Sequence, residues 1–314
     1  MKEFTIGRND AGQRLDRFVS KAAPLIPESL LQKTLRKKDI KINGRPAKGE
    51  ARLAEGDTVR IYLPDEFFEA PREENAWRKI AVPRLDIVYE DGNILLVDKK
   101  PGVLCHSAGE WSWNTLIANI QAYLRAKGEW DPARENSFAP ALCNRIDRNT
   151  GGIVIAAKTA EALRVLNQKI KDREIDKRYL CIVHGTPKPA QGTLEGYLFK
   201  DAVKNRVYVT SATQKGAKTC ATRYKVLQSK NGLSLVECEL ITGRTHQIRV
   251  QFASRDHALL GDRKYGAGEQ DGCRIALWSY KISFLHPQSG QPIAFSAPPP
   301  AEFPWNLFNL SELS

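Results

Sequence analysis

Apolar positions set the first elements of the chain. Leu15, Phe18, Val19 and Ala22 recur at helical spacing and define one buried face. A second helix is predicted from Glu28 to Lys38, burying Leu30, Leu31 and Leu35 and exposing Lys33, Arg36, Lys37 and Lys38. The short strand Ile40-Lys41-Ile42 leads to a turn at Asn43-Gly44, and Gly56-Asp57 introduces an alternating strand from Thr58 to Tyr62. Pro64 to Pro83 carries Glu66, Glu69, Arg72, Glu73 and Glu74 with few aliphatics, and reads as a flexible linker. Beyond it, Ile87-Val88-Tyr89 and Ile94-Leu95-Leu96-Val97 flank Glu90-Asp91-Gly92-Asn93 as a hairpin. From there to Pro304, short β-type runs alternate with occasional helices, one opening near Thr159 and carrying Leu163, Leu166 and Ile170. No internal repeat of fixed period occurs, and the balance predicts an α+β domain on a mixed, largely antiparallel sheet.

Charge narrows the class of partner. The chain has 314 residues, 42% of them hydrophobic, and a formal net charge of +12. From Cys143 to Val250 there are 20 Lys and Arg against 9 Asp and Glu; from Gly12 to Tyr62 there are 12 against 6. These two stretches together exceed the total, so the basic charge is concentrated where a polyanion would be gripped. The six cysteines lie 18 to 39 residues apart, with no close ligand pair, so no structural zinc site is expected. The N-terminus has no apolar signal core, and no run of about 18 apolar residues occurs. The expectation is a reduced cytoplasmic protein with no membrane segment and, by default, a monomer.

The densest chemistry is Asn144-Arg145-Ile146-Asp147-Arg148-Asn149-Thr150-Gly151-Gly152, followed by the apolar strand Ile153 to Ala157. Flanking arginines would favour the ionised carboxylate and position a phosphate backbone around it. On composition alone, a structural salt bridge in a loop is the plainer reading. The segment resembles the signature of the RluA-type family of pseudouridine synthases, usually His-Arg-Leu-Asp-x-x-Thr-Ser-Gly. Three other stretches are similar to the same family in the same order. They are Asp86 to Gly102 as its opening hairpin, Lys177-Arg178-Tyr179-Leu180 as its Tyr motif, and Thr242 to Val250 as its third motif, trailed by Gly261 to Gly266. The resemblance covers roughly residues 85 to 304. Residues 12 to 63 resemble the S4 RNA-binding domain, through Arg14-Leu15-Asp16 and Ile42-Asn43-Gly44. This fits the branch of the family that carries such a domain.

The resemblance implies an S4-like domain at 1–63, a linker at 64–84 and a pseudouridine synthase domain at 85–314, with a central cleft across the sheet and flanking helices. It implies that Asp147 is the catalytic carboxylate, that Tyr179 lies against the base and relays a proton, and that Arg249 pairs with Asp147. Arg145 is expected to help extrude the target nucleotide, and Arg148 to contact the RNA backbone or brace its loop. Ile248 would pack under the pocket, and Arg244 and His246 would make phosphate or structural contacts. Lys33, Arg36, Lys37 and Lys38 would contact RNA from the first module; without the resemblance they are equally a solvated helix face. No metal or organic cofactor is implied. The expected substrate is structured RNA, ribosomal RNA of the large subunit first and transfer RNA second.

Two other classes were open. A non-catalytic RNA-binding or ribosome-assembly protein on the same fold would predict loss of Asp147, Tyr179 or Arg249, and all three are present. A cysteine or serine hydrolase is the other, and its candidate nucleophile Cys143 has no base at a recognisable spacing. The chain also departs from the family pattern: Asn144 replaces His, Gly151 replaces Ser, and Ala276-Leu277-Trp278-Ser279-Tyr280 replaces a Leu-His-Ala type run.

Overall fold

The computed structural model describes residues 1–69, 72–107, 112–266 and 271–311, with residues 72–75 described by their backbone alone. Two sheets form. The N-terminal unit is a four-stranded antiparallel sheet from β1 (Lys2–Thr5), β2 (Ile40–Ile42), β3 (Arg45–Pro46) and β4 (Thr58–Ile61), in the order β1-β4-β2-β3. Helices α1 (Leu15–Ala22) and α2 (Glu28–Arg36) lie against it. Leu15, Phe18, Val19 and Leu31 close one core with Ile40, Val59 and Ile61, which explains the helical periodicity seen in the sequence. Asn43 (φ 49°) and Gly44 (φ 79°) both take positive φ at the β2–β3 turn, the geometry an Asn-Gly pair supplies at least cost.

The stretch expected to be a linker carries local structure. Its described part forms 3-10 turns at Asp65–Phe68 and Arg72–Lys79, and the Trp77 ring packs edge-on against Trp130 at 5.6 Å. That aromatic contact anchors a stretch whose charge suggested solvent. Pro71 and the side chains of Arg72, Glu73 and Glu74 lie outside the described residues.

The second sheet has eleven strands. They are β5 (Ile87–Glu90), β6 (Ile94–Lys99), β7 (Ala141–Leu142), β8 (Gly151–Ala157), β9 (Asp176–His184), β10 (Gln191–Asp201), β11 (Arg206–Thr210), β12 (Lys218–Lys230), β13 (Leu233–Leu240), β14 (Leu277–Leu285) and β15 (Pro292–Ser296). The main path runs β11-β10-β12-β13-β9-β14-β8-β6-β5. Among the described residues every strand pairing is antiparallel except β14 with β8, so the sheet is mixed as the sequence predicts. Helices α3 (Leu116–Ala126) and α4 (Ala160–Asp172) begin at Thr115 and Thr159, whose hydroxyls cap the Ala118 and Ala162 N–H groups. The short α5 (Gln247–Ala253) sits on the β10–β12 side of the sheet.

The parallel β8–β14 junction explains two sequence departures together. Trp278 pairs in register with Gly151, and Ser279 with Gly152. A Cβ on Gly151 would lie 2.2 Å from the Trp278 ring, and one on Gly152 would lie 2.2 Å from the Ser279 carbonyl oxygen. Glycine at 151 and tryptophan at 278 are therefore one packing solution.

Candidate active site

Asp147 lies on the loop between β7 and β8, at the wall of a cleft of about 850 Å³. The loop is tied from behind. The Lys99 ammonium, 1% exposed, donates to the carbonyls of Lys100, Val103 and Arg148. The Arg148 carbonyl also accepts from the Gly102 N–H, and Arg148 Nε donates to the Gly102 carbonyl at 3.1 Å. Burial pushes the Lys99 pKa down to about 8, while Cys105 and Asp147 pull the other way. Lys99 fell inside the opening hairpin of the sequence without drawing attention; a charged residue closing a run of strand apolars was the available signal.

The partners of Asp147 come from the chain 100 residues on. Arg249 Nη1 donates to Asp147 Oδ2 at 2.9 Å, as the resemblance implies. The other edge of the guanidinium is held by Asp262, which accepts from Arg249 Nε at 2.9 Å and from Nη2 at 2.8 Å. Asp262 also accepts from the backbone N–H groups of Lys264 and Tyr265. Burial opposes the Arg249 charge, but Asp262 and Asp147 outweigh it and keep its pKa above the ordinary value. Burial likewise raises Asp262, and Arg249 with the two N–H groups reverses this, so its pKa is lowered. The result is a fixed fork: a buried carboxylate sets the guanidinium and leaves one N–H for Asp147.

Helix α5 is itself locked by a buried amide network. Gln247 accepts from the Thr242 hydroxyl and donates to the Ala221 carbonyl and the Thr222 hydroxyl. Thr222 donates on to Gln251, whose amide donates to the Leu194 carbonyl at 2.7 Å. This pins α5 against β10 and β12, and with it Arg249 and His246. His246 precedes the helix at φ 54°, a left-handed conformation that swings its ring to 3.6 Å from Asp147 Oδ2.

The remaining residues expected from the sequence fall in different places. Tyr179, 6% exposed on β9, lines the cleft; burial pushes its phenol up to about 12, a hydrogen bond with Ser279 works against this, and the Asp147 charge adds to it. Ile248 is buried beneath the cleft, packed in the same core as Tyr179. Arg145 is exposed on the cleft wall. Neither of the arginines that flank Asp147 in sequence is the one that binds it: Arg148 braces the Gly102 turn. Arg244 donates to the Thr219 carbonyl and so holds the third motif to β12. Lys33, Arg36, Lys37 and Lys38 are all exposed, on and just after α2 and away from the residues lining this cleft. Burial pushes the half-buried Cys143 thiol up to about 12, which disfavours the thiolate that a nucleophile requires. Among the described residues, no group of three or more His, Cys, Asp or Glu side chains converges to hold a metal ion.

The cleft therefore brings together a carboxylate ion-paired at one edge, a neutral phenol and a basic rim that includes Arg145, Lys171 and Arg173. The residues 93–254 match the family described as RNA pseudouridylate synthase. Among curated proteins, the chain is 31% identical over 310 residues to the ribosomal large subunit pseudouridine synthase D of Neisseria meningitidis serogroup A, covering 95% of this chain and 78% of that protein. It is 31% identical over 311 residues to the ribosomal large subunit pseudouridine synthase C of Salmonella typhimurium, covering 95% and 93%. Among solved structures, human RNA Pseudouridylate Synthase Domain Containing 1 shares the fold, with a TM-score of 0.57 at 22% identity over 72% of this chain and 87% of that one. Ordered motifs, sheet and relatives agree, and the chain belongs to the RNA pseudouridylate synthase family.

Proposed function

We propose that the protein converts specific uridines of large-subunit ribosomal RNA to pseudouridine, with Asp147 as its catalytic carboxylate. The observation that carries this is the Asp262–Arg249–Asp147 chain, which presents one carboxylate, already paired and oriented, to the cleft. The naming of relatives at about 30% identity for large-subunit ribosomal RNA supports the substrate class. In the isomerisation the N1–C1′ bond breaks with its electron pair on the base, the base turns, and C5 bonds to C1′. The C5 proton then leaves and N1 gains one, so nothing is oxidised or reduced. Arg249 holds the Asp147 carboxylate aimed into the cleft through its 2.9 Å hydrogen bond. Tyr179 remains a neutral phenol at pH 7, suited to stacking on the uracil and passing the C5 proton through its O–H. Arg145, free on the wall, fills the gap left by the extruded nucleotide.

In this reading residues 1–63 act as an S4-like RNA-binding domain, 64–84 as its connection and 85–314 as the synthase domain. The exposed Lys33, Arg36, Lys37 and Lys38 supply phosphate contacts remote from the chemistry. The test is pseudouridine mapping in the source organism with and without the gene, complemented by wild type or Asp147→Asn. Sites that vanish on deletion and return only with wild type support both activity and substrate. If no site changes and the purified protein is silent on ribosomal RNA fragments, the enzymatic reading fails.

A further inference from the structure

Around Asp147 one aromatic side chain does several jobs at once. The Tyr265 ring lies 5.2 Å from the Arg249 guanidinium and 5.0 Å from that of Arg206. Its hydroxyl accepts from the Val207 N–H at 3.0 Å and meets His246 Nδ1 at 2.8 Å. Burial raises the Tyr265 pKa, so the phenol keeps its proton. Among the described residues, His246 Nδ1 is the partner left for that proton, because the Val207 N–H already donates to the oxygen. The opposite tautomer would give the oxygen two N–H donors and strand its own hydrogen. Burial lowers the His246 pKa, with Arg249 and Lys264 adding to this against Asp147 and Asp262, so the ring is neutral at pH 7. A neutral imidazole accepting at Nδ1 carries its hydrogen on Nε2. That atom lies 3.6 Å from Asp147 Oδ2, too far for a good hydrogen bond, and the N–H remains available in the cleft.

We propose that His246 is a catalytic hydrogen-bond donor, its Nε2–H tautomer set by Tyr265, serving the uracil oxygen that gains negative charge when the N-glycosidic bond breaks. This rests on the function proposed above and deepens it. A phosphate is a poorer partner for this donor, since it would sit permanently against the Asp147 carboxylate. The leaving uracil develops its charge only along the reaction, which is where a preorganised donor lowers a barrier. Tyr265 is a positioning residue: it stands outside the lining of the cleft and acts through the imidazole and through the β11 strand that carries Val207.

The experiment combines ¹⁵N-histidine NMR of the intact protein with single-turnover kinetics on a ribosomal RNA fragment bearing a mapped site. Wild type should show His246 as the Nε2–H tautomer, and Tyr265→Phe, which keeps the ring for both guanidiniums, should show a mixture. His246→Ala should lower the rate of the chemical step by about 100-fold, the scale of a lost preorganised donor, with RNA affinity within about threefold. His246→Gln keeps an N–H donor and should recover at least about tenfold of that loss, while Tyr265→Phe should lose about tenfold in rate alone. An Nδ1–H tautomer in wild type overturns the proposal whatever the variants do. Weakened affinity at an unchanged rate in His246→Ala overturns it in favour of a phosphate contact. A wild type inactive on every RNA brings down the enzymatic reading as well, whereas an active wild type with a full-rate His246→Ala brings down this proposal alone.

Discussion

Asp262, buried behind the cleft, fixes a side chain that lines it. It holds Arg249 by two hydrogen bonds while Asp147 has one, so the guanidinium is positioned before substrate arrives. Asp262→Asn should therefore lower kcat by about 10- to 100-fold while leaving RNA affinity within a few-fold, read by single-turnover rates and filter binding. Loss of Arg249 itself goes further, because Arg249→Ala leaves two carboxylates without their shared cation. Inactivity and a stability loss of about 3 kcal/mol, measured by urea unfolding, are expected. A third residue-scale prediction concerns the β8–β14 junction. Gly151→Ser, which restores the residue common in the family, drives a Cβ into the Trp278 ring and should destabilise by about 1–3 kcal/mol. Combined with Trp278→His it should cost less than the two single changes added together, a coupling that a double-mutant cycle reads. That Asp147, Tyr179 and Arg249 would meet at one cleft was legible because each sits within a short local motif. Asp262 and Tyr265 were present in the sequence as a trailing segment only, since their work is done across a loop whose closure no spacing announces.

At the scale of elements, local patterns carried the N-terminal unit furthest. Both helices, the Asn43-Gly44 turn and the β4 strand follow from apolar periodicity and turn chemistry. The large sheet was legible only as a class. Its order depends on pairings such as β9 with β14 and the parallel contact of β8 with β14, which are long-range and leave no mark on either strand alone. The connection is seated by contacts of the same long-range kind: Trp77 packs against Trp130, and Phe67 and Phe68 pack against the N-terminal core. Helix α2 gives a prediction at this scale. Lys33, Arg36 and Lys37 are exposed, while Leu31 and Thr34 are buried and Leu35 packs half-buried against the same core. Replacing the three by Gln should leave thermal unfolding unchanged and reduce the salt dependence of RNA binding, lowering the log–log slope by about 2 to 3. An unchanged slope would make this a solvated face, the plainer alternative.

The whole molecule joins its two sheets by a polar contact. The buried Asp10 carboxylate accepts from Asn136 Nδ2 at 2.7 Å and from the Ser137 hydroxyl at 2.6 Å. Asn9 accepts from the Ala160 N–H at the first turn of α4, and Arg164 of that helix donates to the Ala11 carbonyl at 3.0 Å. Helix α4 thus meets the N-terminal unit at one end, while Lys171 and Arg173 at its other end line the cleft. Cores on the two sides are separate, with Leu15, Phe18 and Ile61 in one and Ile153, Ile155 and Leu166 in another. A protein lacking residues 1–63 should therefore still unfold cooperatively, and it should modify a minimal RNA stem-loop at a rate within about threefold of wild type. Its affinity for longer RNA should fall by at least about tenfold, with a shallower salt slope, because the basic helix is gone. Asp10→Ala separates the two effects of docking. It keeps the basic helix but removes the shared acceptor, and should cost about 1–3 kcal/mol of stability without changing the salt slope. If truncation instead slows the chemistry far beyond threefold and Asp10→Ala does so in part, the N-terminal unit acts through α4 on the shape of the cleft rather than by holding RNA alone.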